Sequence, residues 1–378
     1  MKTVELGSVA SIERKGVDPS SVAPETLYLG LEHIERGGRI IGHDTVGGAE
    51  LASTKFQFNP EHVLFGKLRP NLGKISRPDF AGVCSTDILP IRPGKDLDRD
   101  YLAHFLAQPS MVDFASSRTS GANLPRLSPT VLAKFPIPLP PLPEQRRIAA
   151  ILDHADALRT KRRDVLALLD GLGPAVFRDM FGNPVTNERR WPVKRLAELG
   201  TLDRGVSKHR PRNDPALLGG AYPLIQTGDV ANSGGYIRQF HSTYSDLGLA
   251  QSRMWPAGTL CITIAANIAK TGILTFNACF PDSVVGFTSD PETITFVQAW
   301  LGFLQATLEA SAPQSAQKNI NLAILRELKV PIPGGDLLKE FDERISALKE
   351  HRAHTGRDQA ELDAVFDSLQ SRAFRGEL

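Results

Sequence analysis

The densest group of side chains able to do chemistry is RGVSKHRPR, in which Arg204, Lys208, Arg210 and Arg212 carry fixed positive charge beside His209, with no acid among them. Such a run attracts anions and offers hydrogen-bond donors; it supplies neither a nucleophile nor a general base. Catalytic alternatives are poorly furnished. Base methylation needs a glycine-rich cofactor loop and an Asn/Asp-Pro-Pro-aromatic motif for a flipped base, and the nearest string, Gly182-Asn183-Pro184-Val185, lacks the second proline and the ring. Asp282 with Glu327 and Lys329 imitates the carboxylate pair and lysine of a nuclease, but the two acids lie far apart and Glu327 directly precedes a proline stretch. His351 and His354 share a helical face without a third ligand nearby, and a Walker A loop is absent. The expectation is therefore a binding protein without catalytic residues, bound metal or cofactor of its own.

The elements that must position this chemistry are set by a chain of 378 residues, 41% hydrophobic and 23% charged with a net charge of +2. That length exceeds what one hydrophobic core usually supports, so two or more folding units are expected. The opening MKTVELGSVASIERKG lacks the apolar centre of a signal peptide and no later run is long enough to span a bilayer, which predicts a cytoplasmic protein. Cys84, Cys261 and Cys279 stand in apolar strand-like settings without a CxxC pair and read as buried free thiols.

Comparison of the chain with itself shows a diverged repeat at an offset of roughly 190 to 196 residues. Lys134-Phe135-Pro136-Ile137-Pro138 answers to Lys329-Val330-Pro331-Ile332-Pro333, and each is followed by a long helical pattern. Upstream, LFGKLRPNLGKI (64–75) matches LCITIAANIAKTGIL (260–274), placing Asn71 on Asn267 and Lys74 on Lys270, and Gly121-Ala122-Asn123-Leu124 falls on Gln317-Lys318-Asn319-Ile320. Each copy reads as an α+β head of short strands and tight turns with one or two helices, then a proline joint, then a long helix. The boundaries expected are a first head over 1–142, a central helix over 143–181, a second head over 182–335 and a final helix over 336–378.

In the central helix Ile148, Ile151, Ala155, Leu158, Arg162, Val165, Leu169, Leu172 and Val176 fall at alternating steps of three and four, and in the final helix Phe341, Ile345, Leu348, Arg352, Thr355, Gln359, Leu362, Phe366 and Leu369 do the same. That is the narrow stripe of a coiled coil, interrupted in both copies by an arginine of the kind that fixes register. The expected architecture is two heads separated by two long helices that pair antiparallel, related by a pseudo-twofold axis. At about 1.5 Å per residue each helix is about 45 Å long.

At these residues the chain resembles a known family, the DNA-specificity subunit of type I restriction-modification enzymes. The resemblance is carried by PIPLPPLPEQRRIAAILDHADAL closing the first half, VFRDMFGNP after it, the counterpart VPIPGGDLLKEFDERISAL, and the tail LDAVFDSLQSRAFRGEL. The second junction departs from the pattern, since Gly334-Gly335-Asp336 stands where Leu139-Pro140-Pro141 does, and this predicts a looser hinge there. The resemblance implies that each head is a target recognition domain reading one half of a bipartite double-stranded DNA sequence, with the paired helices as spacer. It implies two adenine-methyltransferase subunits as partners, bringing S-adenosylmethionine, and a restriction subunit bringing ATP and magnesium, in a system of phage defence.

Half-sites about one helical turn apart, 34 to 36 Å, lie within reach of such a spacer. Reading bases in the major groove calls on Arg or Lys for guanine and Asn or Gln for adenine, with further cations and hydroxyls on phosphate. In the first head the candidates are Lys67, Arg69 and Asn71 in GKLRPNLGK and Arg118, Thr119, Ser120, Asn123 and Arg126 in SSRTSGANLPR. In the second they are Arg204, Lys208, Arg210 and Arg212, then Asn267 and Lys270, then Gln314, Gln317, Lys318 and Asn319 in APQSAQKNIN. The two polar loops recur at the repeat offset but differ in composition, as readers of different half-sites should. The alternative is a coiled-coil scaffold whose heads bind proteins; the modest net charge suits it, whereas the basic run and the polar loops favour DNA.

Overall fold

The computed structural model describes residues 2–209, 211–265, 269–311 and 321–378, with the backbone alone for 306–311. Two compact units emerge, one made of Met1–Arg163 with Arg357–Leu378, the other of Asp164–Gly356. The division falls inside both long helices, Leu142–Phe181 and Gly335–Arg375. Each unit thus holds a head, the first half of the helix that follows it and the last half of the other, where the sequence had suggested separate heads and helices.

In the first unit the strand Pro136–Pro138 pairs antiparallel with Thr3–Glu5. Leu6 N–H donates to the Phe135 carbonyl (2.9 Å) and Leu139 N–H to the Lys2 carbonyl (2.8 Å). Hydrogen bonds therefore fall at positions 135, 137 and 139, and the prolines occupy the alternate positions, where an N–H would find no partner in this two-stranded pair. The proline joint is thus also the last strand of its own head. A four-stranded antiparallel sheet follows in the order Ala10–Ile12, Ile88–Pro93, Val63–Gly66, Ile75–Ser76. Its core packs on the helix Arg99–Leu106, which buries Tyr101, Leu102 and Phe105 and begins at an Asp98 cap. A second sheet contains the parallel pair Leu27–Leu29 and Gly82–Cys84.

The second unit repeats this plan. Lys329–Pro331 pairs with Val193–Arg195, with Leu196 N–H on the Leu328 carbonyl (2.9 Å) and Ile332 N–H on the Pro192 carbonyl (2.9 Å). Pro331 again takes a position without a ladder bond, so the Gly334-Gly335 departure lies beyond the strand and leaves its register intact. The main sheet runs Thr201–Arg204, Val284–Thr288, Leu260–Thr263, Thr271–Leu274, with Tyr236–Ile237 added parallel at the edge. The helix Pro291–Ser311 takes the place of Arg99–Leu106.

Within each unit the two helix halves run antiparallel. In the first, Arg159 pairs with Asp363 (2.7 Å) and Arg162 with Asp358 (3.4 Å), one number rising as the other falls. In the second, Arg352 pairs with Asp170 and the Phe177 and Phe341 rings meet at 5.7 Å. Ile148, Ile345 and Phe366 are buried, and Ile151, Leu169, Leu348, Leu362 and Leu369 are half-buried. Leu158 and Val165 depart from the expected stripe, standing 44% and 41% exposed. The inward positions are Ile148, Leu152, Ala155 and Arg159, again at steps of four and three, so the seam keeps its seven-residue period but runs one residue later than the expected Ile151 and Leu158. Arg162 and Arg352 also sit at the rim rather than in the seam, their guanidinium groups reaching outward to Asp358 and Asp170. Arg159 takes the interior place instead, stacked 4.1 Å over the Phe366 ring.

Candidate DNA interface

The first head brings its two predicted segments together. The turn after Val63–Gly66 places Arg69 in the left-handed region (φ 49°) immediately before Pro70, a position where proline disfavours the right-handed helical conformation. Arg69 N–H then donates to the Pro125 carbonyl (2.8 Å) and Leu127 N–H to the Lys67 carbonyl (2.9 Å). The loop itself closes through reciprocal bonds between Ser120 and Arg126 (3.0 and 2.9 Å). As a result exposed Arg69 and Asn123 are neighbours, Arg69 Nη2 donating to the Asn123 carbonyl at 3.4 Å. Asn71 is exposed on the same turn and Lys67 half-buried.

Three candidates of this loop are already engaged. Arg126 makes a two-bond fork to Asp87 (2.8 and 3.2 Å), whose hydrogen bonds and charge raise its affinity for the proton. Arg118 lies 3.4 Å over the Phe114 ring and donates to the Phe114 carbonyl (3.1 Å). Thr119 Oγ1 donates to the Ser116 carbonyl (2.9 Å). These bonds hold the loop in shape around the freer Arg69, Asn71 and Asn123.

In the second head the basic run folds around an acid distant in sequence. Arg204 Nε donates to the Asp282 carbonyl (2.9 Å) and Arg212 pairs with the Asp282 carboxylate. Asp282 therefore answers the run's charge and orients it. Arg253 and Arg326 share Asp203 next to the run (3.2 and 3.5 Å). Lys208 is exposed, its backbone N–H held by Gln251 (2.6 Å). Lys270 is half-buried at the end of the hairpin Leu260–Thr263/Thr271–Leu274, next to left-handed Ala269 (φ 57°). Arg210, Asn267, Gln314, Gln317, Lys318 and Asn319 lie outside the described residues.

Two features escaped the reading of the sequence. Gln145 is fully buried at the start of the first long helix, donating to the carbonyls of Asp96 (2.9 Å) and Pro140 (2.8 Å) and accepting from Asp98 N–H (2.8 Å). The other is a turn ending in Gly37-Gly38 in the first head and Gly234-Gly235 in the second, a doublet repeated at close to the offset of the rest of the chain. Among the described residues no group of His, Cys, Asp and Glu could hold a metal ion, and no helix is long and apolar enough to cross a membrane.

Two heads whose main sheets share one strand order and one hairpin agree with what comparison to other proteins finds. The family of the type I restriction modification DNA specificity domain matches over residues 1–167 and 188–352, one segment per head. The chain belongs to that family. It is 30% identical to the Escherichia coli type I restriction enzyme EcoDI specificity subunit over 192 residues, half of this chain and 43% of that protein. Against the E. coli EcoBI specificity subunit it is 23% identical over 315 residues, covering 72% of this chain and 64% of the relative. The chain thus spans about half to two thirds of these relatives. Among solved structures, the S subunit of a type I restriction-modification system from M. genitalium shares the fold with a TM-score of 0.64 at 13% identity, covering 99% of this chain and 96% of that one. A chain from a study of assembly and conformational transition of the type I R-M system gives 0.61 at 20% identity, covering 100% and 98%.

Proposed function

We propose that this member of the type I specificity family is the non-catalytic subunit that chooses the DNA sequence, each head reading one half of a bipartite double-stranded target. It docks two adenine-methyltransferase subunits and, in a restricting complex, restriction subunits. S-adenosylmethionine, ATP and magnesium belong to those partners. The observation that carries the reading is the repetition itself. Both heads offer a hairpin at the same place in the same sheet order, with a left-handed residue in its turn, Arg69 in one and Ala269 in the other. The frame is kept while the side chains on it differ, as two readers of different letters require. Arg69, Asn71 and Asn123 in the first head have the donor and acceptor chemistry of base edges in the major groove.

The test is to sequence adenine methylation in a host carrying the partner methyltransferase with and without this chain. A single split adenine motif, present only with the chain, is expected; an unchanged methylome sinks the proposal. Arg69→Ala or Asn123→Ala should then relax one position of one half-site, by about 1 to 3 kcal/mol for a direct base contact.

A further inference from the structure

Each head carries, packed on its hairpin, the Gly-Gly turn that the site described above does not use. In the first head this turn follows Gly30. His33 Nδ1 accepts from Gly30 N–H (3.0 Å), and His33 Nε2 faces Asp44 at 3.4 Å. In the second head Asp229 stands where His33 does, and its Oδ2 accepts from Gln226 N–H (2.8 Å). Its other oxygen takes a bond from His241 Nδ1 (2.7 Å), and His241 stands where Asp44 does. The pair is thus kept with its members exchanged, and in both heads it ties the start of the turn to the segment that follows.

Each turn is also bonded to its hairpin through the backbone, with donor and acceptor reversed between the heads. Gly37 N–H donates to the Gly73 carbonyl (3.1 Å) in the first head, and Ile273 N–H donates to the Gly235 carbonyl (3.0 Å) in the second. A side chain at Gly38 would collide with the Ile75 carbonyl, and one at Gly272 with Ser233 and Ile237. Turn and hairpin therefore form one continuous surface in each head.

In the second head this surface opens into a cleft of about 500 Å³. Its floor is fixed: Asp229 is 9% exposed and turned into its two bonds, and Tyr236 is held by a bond from Lys349 Nζ (2.8 Å). Around it stand the exposed residues Gln226, Asn232, Arg238 and Gln239, of which Gln226 Nε2 donates to Ser242 Oγ (3.4 Å) and the Arg238 guanidinium lies 5.2 Å over the Tyr236 ring. We infer that this cleft is a second reading subsite of the second head, in which Asn232, Arg238 and Gln239 meet base-pair edges of the same half-site that the neighbouring hairpin reads. The inference rests on the DNA-reading function proposed above. Three features together favour bases over a small metabolite: carboxamides and a guanidinium match the donor and acceptor pattern of base edges, the lining strand Tyr236–Ile237 pairs with the hairpin strand Thr271–Leu274, and the frame recurs in a head of different chemistry.

The test uses the full chain with its methyltransferase partner, comparing Asn232→Ala, Arg238→Ala and Gln239→Ala with wild type by sequencing of the methylated motif. The expected result is a tenfold or greater loss of discrimination at one position of one half-site in at least one variant, the other half-site keeping every letter. Unchanged letters with unchanged methylation would overturn the inference. Uniformly weaker methylation without a change of letters, in variants whose unfolding midpoint matches wild type, would also overturn it, since that marks phosphate contact or mere scaffolding. A wild-type chain that directs no split motif removes the parent proposal instead, so the two failures are told apart.

Discussion

Where the first long helix begins, a buried carboxamide ties three backbone groups together; where the second begins, Leu338 fills the matching buried place in an apolar cluster. The contrast extends outward. Around Gln145 the first unit adds an ionic network: Asp153 accepts from His104 (2.8 Å) and Arg77 (2.7 Å), and Arg77 also reaches Asp100 (3.1 Å). Around Leu338 the second unit gathers rings, with Phe177 against Phe181, Phe296 and Phe303 at 5.0 to 5.3 Å and against Phe341 at 5.7 Å. One plan of packing is thus secured twice, by directional polar contacts in one unit and by volume and ring contact in the other. A backbone arrangement this constant tolerates either chemistry, provided every buried polar group in the polar version finds its partner.

Four measurements would break or sharpen this contrast. The largest effect is expected from Phe177→Ala, which empties the centre of the ring cluster and should destabilise the second unit by about 3 to 5 kcal/mol. Hydrogen exchange read separately in 1–163 and 164–356 should show the loss in the second unit; equal loss in both would contradict the division. Next comes Gln145→Leu, which imports the other unit's solution. Because it leaves Asp98 N–H and two carbonyls without their partner, it should cost the first unit roughly 2 to 3 kcal/mol in denaturant unfolding. A neutral outcome would mean that volume alone matters at both junctions.

The third measurement concerns acid. Burial pushes the Asp153 carboxyl up, but hydrogen bonds from His104 and Arg77, together with their charge, outweigh it and hold the group well below the usual carboxylate range. A folded-state value below the unfolded value of about 3.9 means that this group's stabilisation is complete above that pH and fades as pH falls below it. Asp153→Asn should therefore flatten the acid side of the first unit's stability profile below about pH 4 while lowering stability at neutral pH. A profile as steep as wild type would place the acid sensitivity elsewhere. The smallest effect belongs to Arg352→Ala: its pair with Asp170 is exposed on both sides, so the expected change is under about 1 kcal/mol and shrinks further in high salt. A larger loss would show that the rim pair fixes helix register.

Much of this was legible in the sequence because it is written in local periods. The repeat, the long helices and the hairpin match all rest on spacing that survives divergence, and the final helix keeps its apolar residues inward over most of its length. Leu158 and Val165 were misplaced because two stripes one residue apart, through Leu158 or through Arg159, share the same seven-residue period, and apolar residue type points to the wrong one. What could not be read were pairings across long stretches of chain. Asp282 invites a catalytic interpretation until it is found holding Arg204 and Arg212, and nothing near Arg126 announces Asp87. Gln145 looks like a surface residue beside two arginines, since a carboxamide's burial depends on backbone groups brought to it by folding. The Gly-Gly doublets did carry a visible signal, an offset within two residues of that of the proline strands, but glycine pairs are common enough in turns to pass as punctuation.

The pairing of the proline strand with its head's first strand has a consequence for how such chains change over time. In the second head the peptide comes in at Pro192 and goes out at Ile332, one hydrogen bond apart. Everything between these two positions is, to the helices, an insert on a single closed stem. A different insert of the same footing could be exchanged without disturbing the coiled segments, so on the function proposed above new sequence preferences would be acquired one head at a time, as cassettes rather than by gradual redesign.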